Sequence, residues 1–214
     1  MVRLAMIVVV ALLMAQAAAA APSFLGFTGL LRVPTADTLD LNEFNAAWFN
    51  VDLIDGDETI YAANLGLRDG LELGVVRSKV ELAEGETMIT AKYRIRPETD
   101  THAAVAVGAL DPTDEVDSTV YVVASKLLMG RARIFKGEVQ GLRAHVGVGA
   151  GQLDGVFLGA SATLGDRLLV AAEYDTADVN VGARLSIGYG FRVHAAWFDD
   201  LDDVGLGLSY NKMF

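Results

Sequence analysis

At 214 residues the chain has room for one domain, and its formal net charge of −11 argues against nucleic acid and against a basic grip on anionic lipid. It contains no cysteine, so no disulfide staples the fold and no thiol can carry a lipid anchor. With 52% hydrophobic residues, stability must come from a packed core or from a sheet closed within a membrane.

The chain opens on a secretory signal. Arg3 supplies the positive start, residues 4–14 are unbroken apolar chain, and Gln16 followed by Ala17, Ala18, Ala19, Ala20 and Ala21 gives the small-residue context of a cleavage site. The apolar run is short for a spanning helix, and no basic cluster follows it. Cleavage is expected after Ala20, because the next bond would place Pro22 directly behind the cut. The predicted organisation is therefore a signal peptide (1–20), an N-terminal segment leading into the barrel (21–42) and a β-barrel (43–214).

From Glu43 onward apolar and polar residues alternate with period two, interrupted by turn residues. The pattern predicts twelve strands near 43–53, 59–68, 71–79, 87–96, 102–110, 118–127, 142–151, 155–164, 167–175, 178–188, 190–198 and 203–214. Asp69-Gly70 and Gly165-Asp166 are hairpin-type turns, and acidic runs such as Asp55-Gly56-Asp57 and Asp199-Asp200-Leu201-Asp202-Asp203 mark other reversals. The stretch 128–141 would be a long basic connection on the side where membrane barrels keep turns short. Either it extends the flanking strands, or residues 27–33 form a strand that shifts the topology.

A soluble sandwich and a membrane barrel both alternate, so the two faces must decide between them. Here one face is aliphatic, while the other holds small and mixed residues (Gly147, Gly159, Ser161, Gly182, Gly205, Ser209) instead of the Lys and Glu of a solvated surface. Trp48, Tyr61, Tyr93, Tyr174, Tyr189, Trp197 and Tyr210 fall on the apolar face near strand ends, as an aromatic girdle would. The chain's last residue, Phe214, follows Val204, Leu206, Leu208 and Tyr210 at every second position, the pattern of a terminal barrel-assembly signal. The fold class expected is an all-β, antiparallel, up-and-down transmembrane barrel of about 12 strands (range about 10–14) in the bacterial outer membrane.

Charges cannot face lipid cheaply, so Glu72, Lys92, Arg94, Arg96, Glu173, Asp175, Arg184, Arg192 and His194 are assigned to the lumen. They would form an ion-pair network or line a pore. No enzyme is expected: there are three histidines and no nucleophile elbow, and nothing has cofactor or metal spacing. Outer-membrane lipid and the barrel-assembly machinery are the expected partners.

Three passages resemble the YjbH-like family (exopolysaccharide biosynthesis protein YbjH) of outer-membrane barrels. They are Gly26-Phe27-Thr28-Gly29-Leu30-Leu31-Arg32-Val33-Pro34-Thr35-Ala36, Tyr121-Val122-Val123-Ala124-Ser125-Lys126, and Ala172-Glu173-Tyr174-Asp175 followed by Asn180-Val181-Gly182. The resemblance implies a role in exopolysaccharide secretion or cell-surface assembly, with polysaccharide-export components as partners, and offers no catalytic residues. The alternatives are a structural or passive-diffusion barrel without specific cargo, or a soluble periplasmic β-binding module.

Overall fold

The computed structural model describes residues 20–53, 56–80, 85–112, 118–134 and 137–214. The signal stretch up to residue 19, the acidic tip residues Asp55, Asp114, Glu115 and Asp117, and Lys136 lie outside the described residues.

Twelve antiparallel strands close on themselves. In chain order they are β1 (Glu43–Asp52), β2 (Glu58–Arg68), β3 (Leu71–Val80), β4 (Glu86–Arg96), β5 (Ala104–Leu110) and β6 (Thr119–Ile134). These are followed by β7 (Gly137–Ala150), β8 (Gly155–Leu164), β9 (Leu168–Tyr174), β10 (Val179–Gly188), β11 (Phe191–Phe198) and β12 (Asp203–Met213). Each pairs with its sequence neighbour, and β1 pairs with β12 from Glu43↔Met213 to Asp52↔Val204. Closure leaves no open edge around the ring, which is the condition for a sheet in hydrocarbon.

The period-two pattern sorts the faces as expected. On β12, Val204, Leu206 and Leu208 point outward and are exposed, while Gly205, Gly207, Ser209 and Asn211 are buried inward. Val120 and Val122 on β6, Val146 and Val148 on β7, and Val156 and Leu158 on β8 continue the apolar outer wall. Leu206 lies mid-strand, paired with Asn50 and Ala195. Leu206→Arg is expected to destabilise the folded barrel in vesicles by roughly 2–4 kcal/mol, read from equilibrium urea unfolding.

The rim where Glu43 meets Met213 carries both ends of the strand circuit and is termed here the terminal rim. The connections 53–57, 111–118, 151–154, 175–178 and 199–202 lie at the opposite rim. The stretch 128–141 is a strand extension: pairing resumes after a bulge at Leu127/Met129 and continues from Arg131↔Gln140 to Ile134↔Gly137. Strands β6 and β7 thus run past the limits predicted for them, and β6 outreaches β5, whose pairing with it stops at Ala104↔Ser125. Residues 27–33 are not a barrel strand; they share only isolated bridges, Pro22↔Thr28 and Gly29↔Pro34.

The hydrophobic core lies inside the ring. Residues 20–42 fold within the lumen, where Phe24, Phe27, Leu30, Leu31, Val33, Ala36 and Leu39 are all buried. Phe24 stacks on Phe49 at 4.2 Å and meets Phe198 edge-on at 4.9 Å, and Phe27 packs on Tyr121 at 5.4 Å. Each large side chain so buried contributes about 1.5–3 kcal/mol to holding the segment in place.

Candidate functional site: the lumen and its inner segment

The inner segment enters and leaves at the terminal rim. At its start the Ala20 carbonyl accepts from Asn211 Nδ2 at 2.6 Å, and at its end Asp40 N–H donates to Glu43 Oε2 at 3.0 Å. Between these points it rises to an apex near the opposite rim, where Arg32 reaches Asp199 at 3.0 Å and Asp175 at 3.7 Å. It is a loop inserted from one side.

An irregular chain in an apolar interior carries peptide groups that no sheet ladder satisfies, and each must find a partner. Inward side chains of the wall supply them. Glu173 on β9 accepts from three successive N–H groups, of Leu31 (3.0 Å), Arg32 (2.6 Å) and Val33 (3.3 Å). Glu72 on β3 accepts from the N–H groups of Thr28 and Leu39, both at 3.0 Å, and from the Thr28 hydroxyl. Its register partner Lys92 on β4 donates to the carbonyls of Thr28, Thr35 (3.3 Å) and Asp37 (2.9 Å). Arg184 on β10 donates to the carbonyls of Gly29 (3.2 Å) and Leu30 (3.0 Å). Neutral side chains complete the set: Asn64 holds the Gly26 carbonyl at 2.7 Å, and Ser125 Oγ accepts from Ala36 N–H at 2.8 Å. The wall reads main chain, so the side chains of the segment are left to pack.

The small inward residues make room for that packing. A Cβ on Gly159 would lie 2.6 Å from Leu30, and one on Gly182 would lie 2.7 Å from Leu31. Those glycines are sockets for two side chains of the inner segment.

The predicted lumenal residues divide by height. Glu72, Lys92, Glu173 and Arg184 grip the segment directly. Asp175 pairs with Arg32 and accepts from Asn180 Nδ2 at 2.8 Å. Arg192 donates to Asn211 Oδ1, and His194 meets Ser209 Oγ at 2.7 Å and Arg184 Nε at 3.4 Å. Arg94 and Arg96 share the inward register of Lys92 but do not join this group, because β4 reaches the rim there. Arg94 pairs with Asp69 at 2.6 Å, and exposed Arg96 donates to the Ala103 carbonyl at 3.3 Å.

On the outer wall Trp48, Tyr61, Tyr93, Tyr174 and Trp197 are exposed. Tyr210 is partly buried against Phe191, and Tyr189 stands in the β10–β11 turn rather than on a strand. Phe214 is exposed at the terminal rim, 6.3 Å from Phe44.

Two further features frame the lumen. Toward the acidic rim a cavity of about 330 Å³ lies over the segment, floored by Phe24, Leu25 and Leu153 and edged by Arg32, Glu58 and Asp175. Asp178 beside it has its carboxyl raised above the usual aspartate range, by partial desolvation first and then by the charges of Asp199, Asp175 and Asp200. At the terminal rim Arg143 ties Asp37 (3.3 Å) to Glu98 (2.9 Å), and Lys126 donates to the Thr99 (2.6 Å) and Asp100 (3.0 Å) carbonyls.

Ser125 and His145 approach at 2.8 Å, yet the other His145 nitrogen faces Ser161 at 3.3 Å, where a hydrolase triad would place a carboxylate. Among the described residues no cluster of three or more His, Cys, Asp or Glu could hold a metal ion.

No family model matches the chain, the YjbH-like family included, and no curated protein matches it. Solved structures do. A KdgM porin superposes with a TM-score of 0.52 at 11% identity, covering 79% of this chain and 99% of that one. A KdgM porin in complex with disordered oligogalacturonate gives a TM-score of 0.47 at 12% identity, over 80% of this chain and 99% of that one. The fold is the KdgM porin fold. At such identity the likeness is one of architecture: a closed ring of twelve antiparallel strands.

Proposed function

We propose that this protein is an outer-membrane, porin-type barrel that its own N-terminal segment holds shut. An apolar outer wall set with aromatic rings suits a bilayer, and the N-terminal signal suits export. The observation that carries the reading is the grip of Glu72, Lys92, Glu173 and Arg184 on the main chain of residues 28–39. Wall charges that would line a water-filled pore are instead engaged by a segment that fills the lumen. Passage of small hydrophilic solutes then requires the segment to move, and with both its ends at the terminal rim it leaves toward that side. Phe214, exposed at the same rim, is the handle offered to the assembly machinery. The exopolysaccharide role implied by the YjbH-like resemblance gains nothing from this interior, which leaves no path for a polymer.

Planar-bilayer recording tests the reading. The full chain is expected to be nearly silent, while Lys92→Ala/Glu173→Ala, whose inner segment becomes protease-sensitive, conducts steadily. A permanently open wild type would overturn closure by the segment. Silence after demonstrated release of the segment would make the barrel a structural body instead.

A further inference from the structure

We propose that closure is proton-controlled, with Glu173 as the latch; this rests on the reading of the inner segment as a gate. The geometry at Glu173 is unlike that at the other wall acid. Its Oε2 faces the N–H groups of Leu31 and Val33, and its Oε1 faces those of Arg32 and Val33 together with Asn180 Nδ2 at 3.3 Å. Every partner named is a donor. A carboxylate satisfies them all, but a proton on either oxygen would point into N–H groups and break the clamp. Glu72 is different, because one of its partners is the Thr28 hydroxyl, which can turn to accept from a protonated acid.

The surroundings offer Glu173 no acceptor for a proton. From β10 it faces Asn180 and Arg184, and from β11 His194 and Arg192 lie behind Arg184. The inner segment contributes Arg32, which is itself turned toward Asp175 and Asp199. The facing positions of β8, Gly159 and Ser161, carry no charge. Residues 31–33 are the apex of the inserted loop, and Arg184 grips the two carbonyls just before them. Protonation of Glu173 therefore frees the part of the segment farthest from its anchors and leaves it able to withdraw toward the terminal rim.

The experiment is open probability in planar bilayers between about pH 7.5 and about pH 5 for wild type, Glu173→Gln and the exposed-rim control Glu86→Gln. Wild type and control are expected to open at least about ten-fold more often at the acid end, since several charge-assisted hydrogen bonds are lost together. Glu173→Gln, neutral at both ends of the range, is expected to open at the acid-like frequency throughout. A wild type closed equally at both pH values, or a Glu173→Gln that keeps the wild-type response, overturns the latch. Should Glu173→Gln fail to assemble, amide exchange on wild type decides. Protection of the Leu31, Arg32 and Val33 N–H groups, corrected for intrinsic rate, is expected to fall by about ten-fold relative to the strands on acidification. Unchanged protection overturns the latch. Steady conduction by Lys92→Ala/Glu173→Ala without any acid response in wild type would remove this inference while leaving the gate itself standing.

Discussion

Lys92→Ala is expected to destabilise the folded chain by about 3–5 kcal/mol and to unseat the inner segment, because it leaves a buried charge without its counterpart. Lys92 is 1% exposed, as is Glu72 opposite it on β3. The ammonium is the shared partner of the Thr28, Thr35 and Asp37 carbonyls, which approach it from two passes of the segment. Its removal orphans those acceptors and leaves the Glu72 carboxylate uncompensated in a dry interior. Lys92→Met/Glu72→Gln, which removes both charges and keeps volume, is expected to recover part of the loss; the interaction energy of the double-mutant cycle measures how far the two act as a unit. Lys126→Ala is the contrast. Lys126 sits partly exposed at the rim, 3.6 Å from Glu98, and its loss is expected to cost no more than about 1 kcal/mol. Urea unfolding in vesicles and protease sensitivity of residues 21–42 read both effects. Equal losses for Lys92 and Lys126 would show that the lumenal grip contributes no more than a surface ion pair.

The wall was legible and its contents were not. Alternation over residues such as Val204 to Asn211 fixes which side chains face lipid, and one slip of register would reverse every one of them. Twelve strands and their closure follow from that pattern and its turns. The inner segment has no such periodicity. It is recognised through peptide groups, and hydrogen bonds to main chain leave no mark in the residue types of the segment that makes them. Its neutral partners Asn64, Ser125 and Asn211 sit singly on their strands and form no motif. One trace was present: the inward glycines at 159 and 182, read as the lining of a narrow lumen, are the sockets of Leu30 and Leu31. The charged residues were placed on the correct face, but register alone does not give height, so Arg94 and Arg96 were grouped with Lys92 although they reach the rim. The passages that resemble the YjbH-like family converge in space. Residues 26–36 are the heart of the inner segment, Ser125 holds Ala36, and Glu173, Asp175 and Asn180 surround residues 31–33 and each other.

Locking the segment should silence a barrel that mutation has opened. Ala36→Cys/Ser125→Cys, placed in the Lys92→Ala background, is expected to conduct when reduced and to close when oxidised. Ala36 N lies 2.8 Å from Ser125 Oγ, so the two positions already face each other across the lumen. The natural chain is free of cysteine, and any response to a reductant belongs to the introduced pair. A disulfide of ordinary strength favours the closed state by about 2–4 kcal/mol, which corresponds to a fall of about 30- to 800-fold in open population. The direction of the effect separates the two meanings of a filled lumen. If the segment is a gate, reduction restores conductance reversibly through many cycles, because the wall survives while the loop moves. If the segment is a core that the wall needs in order to stay closed as a ring, the reduced protein loses its folded gel mobility together with its silence, and conductance never appears as discrete steps.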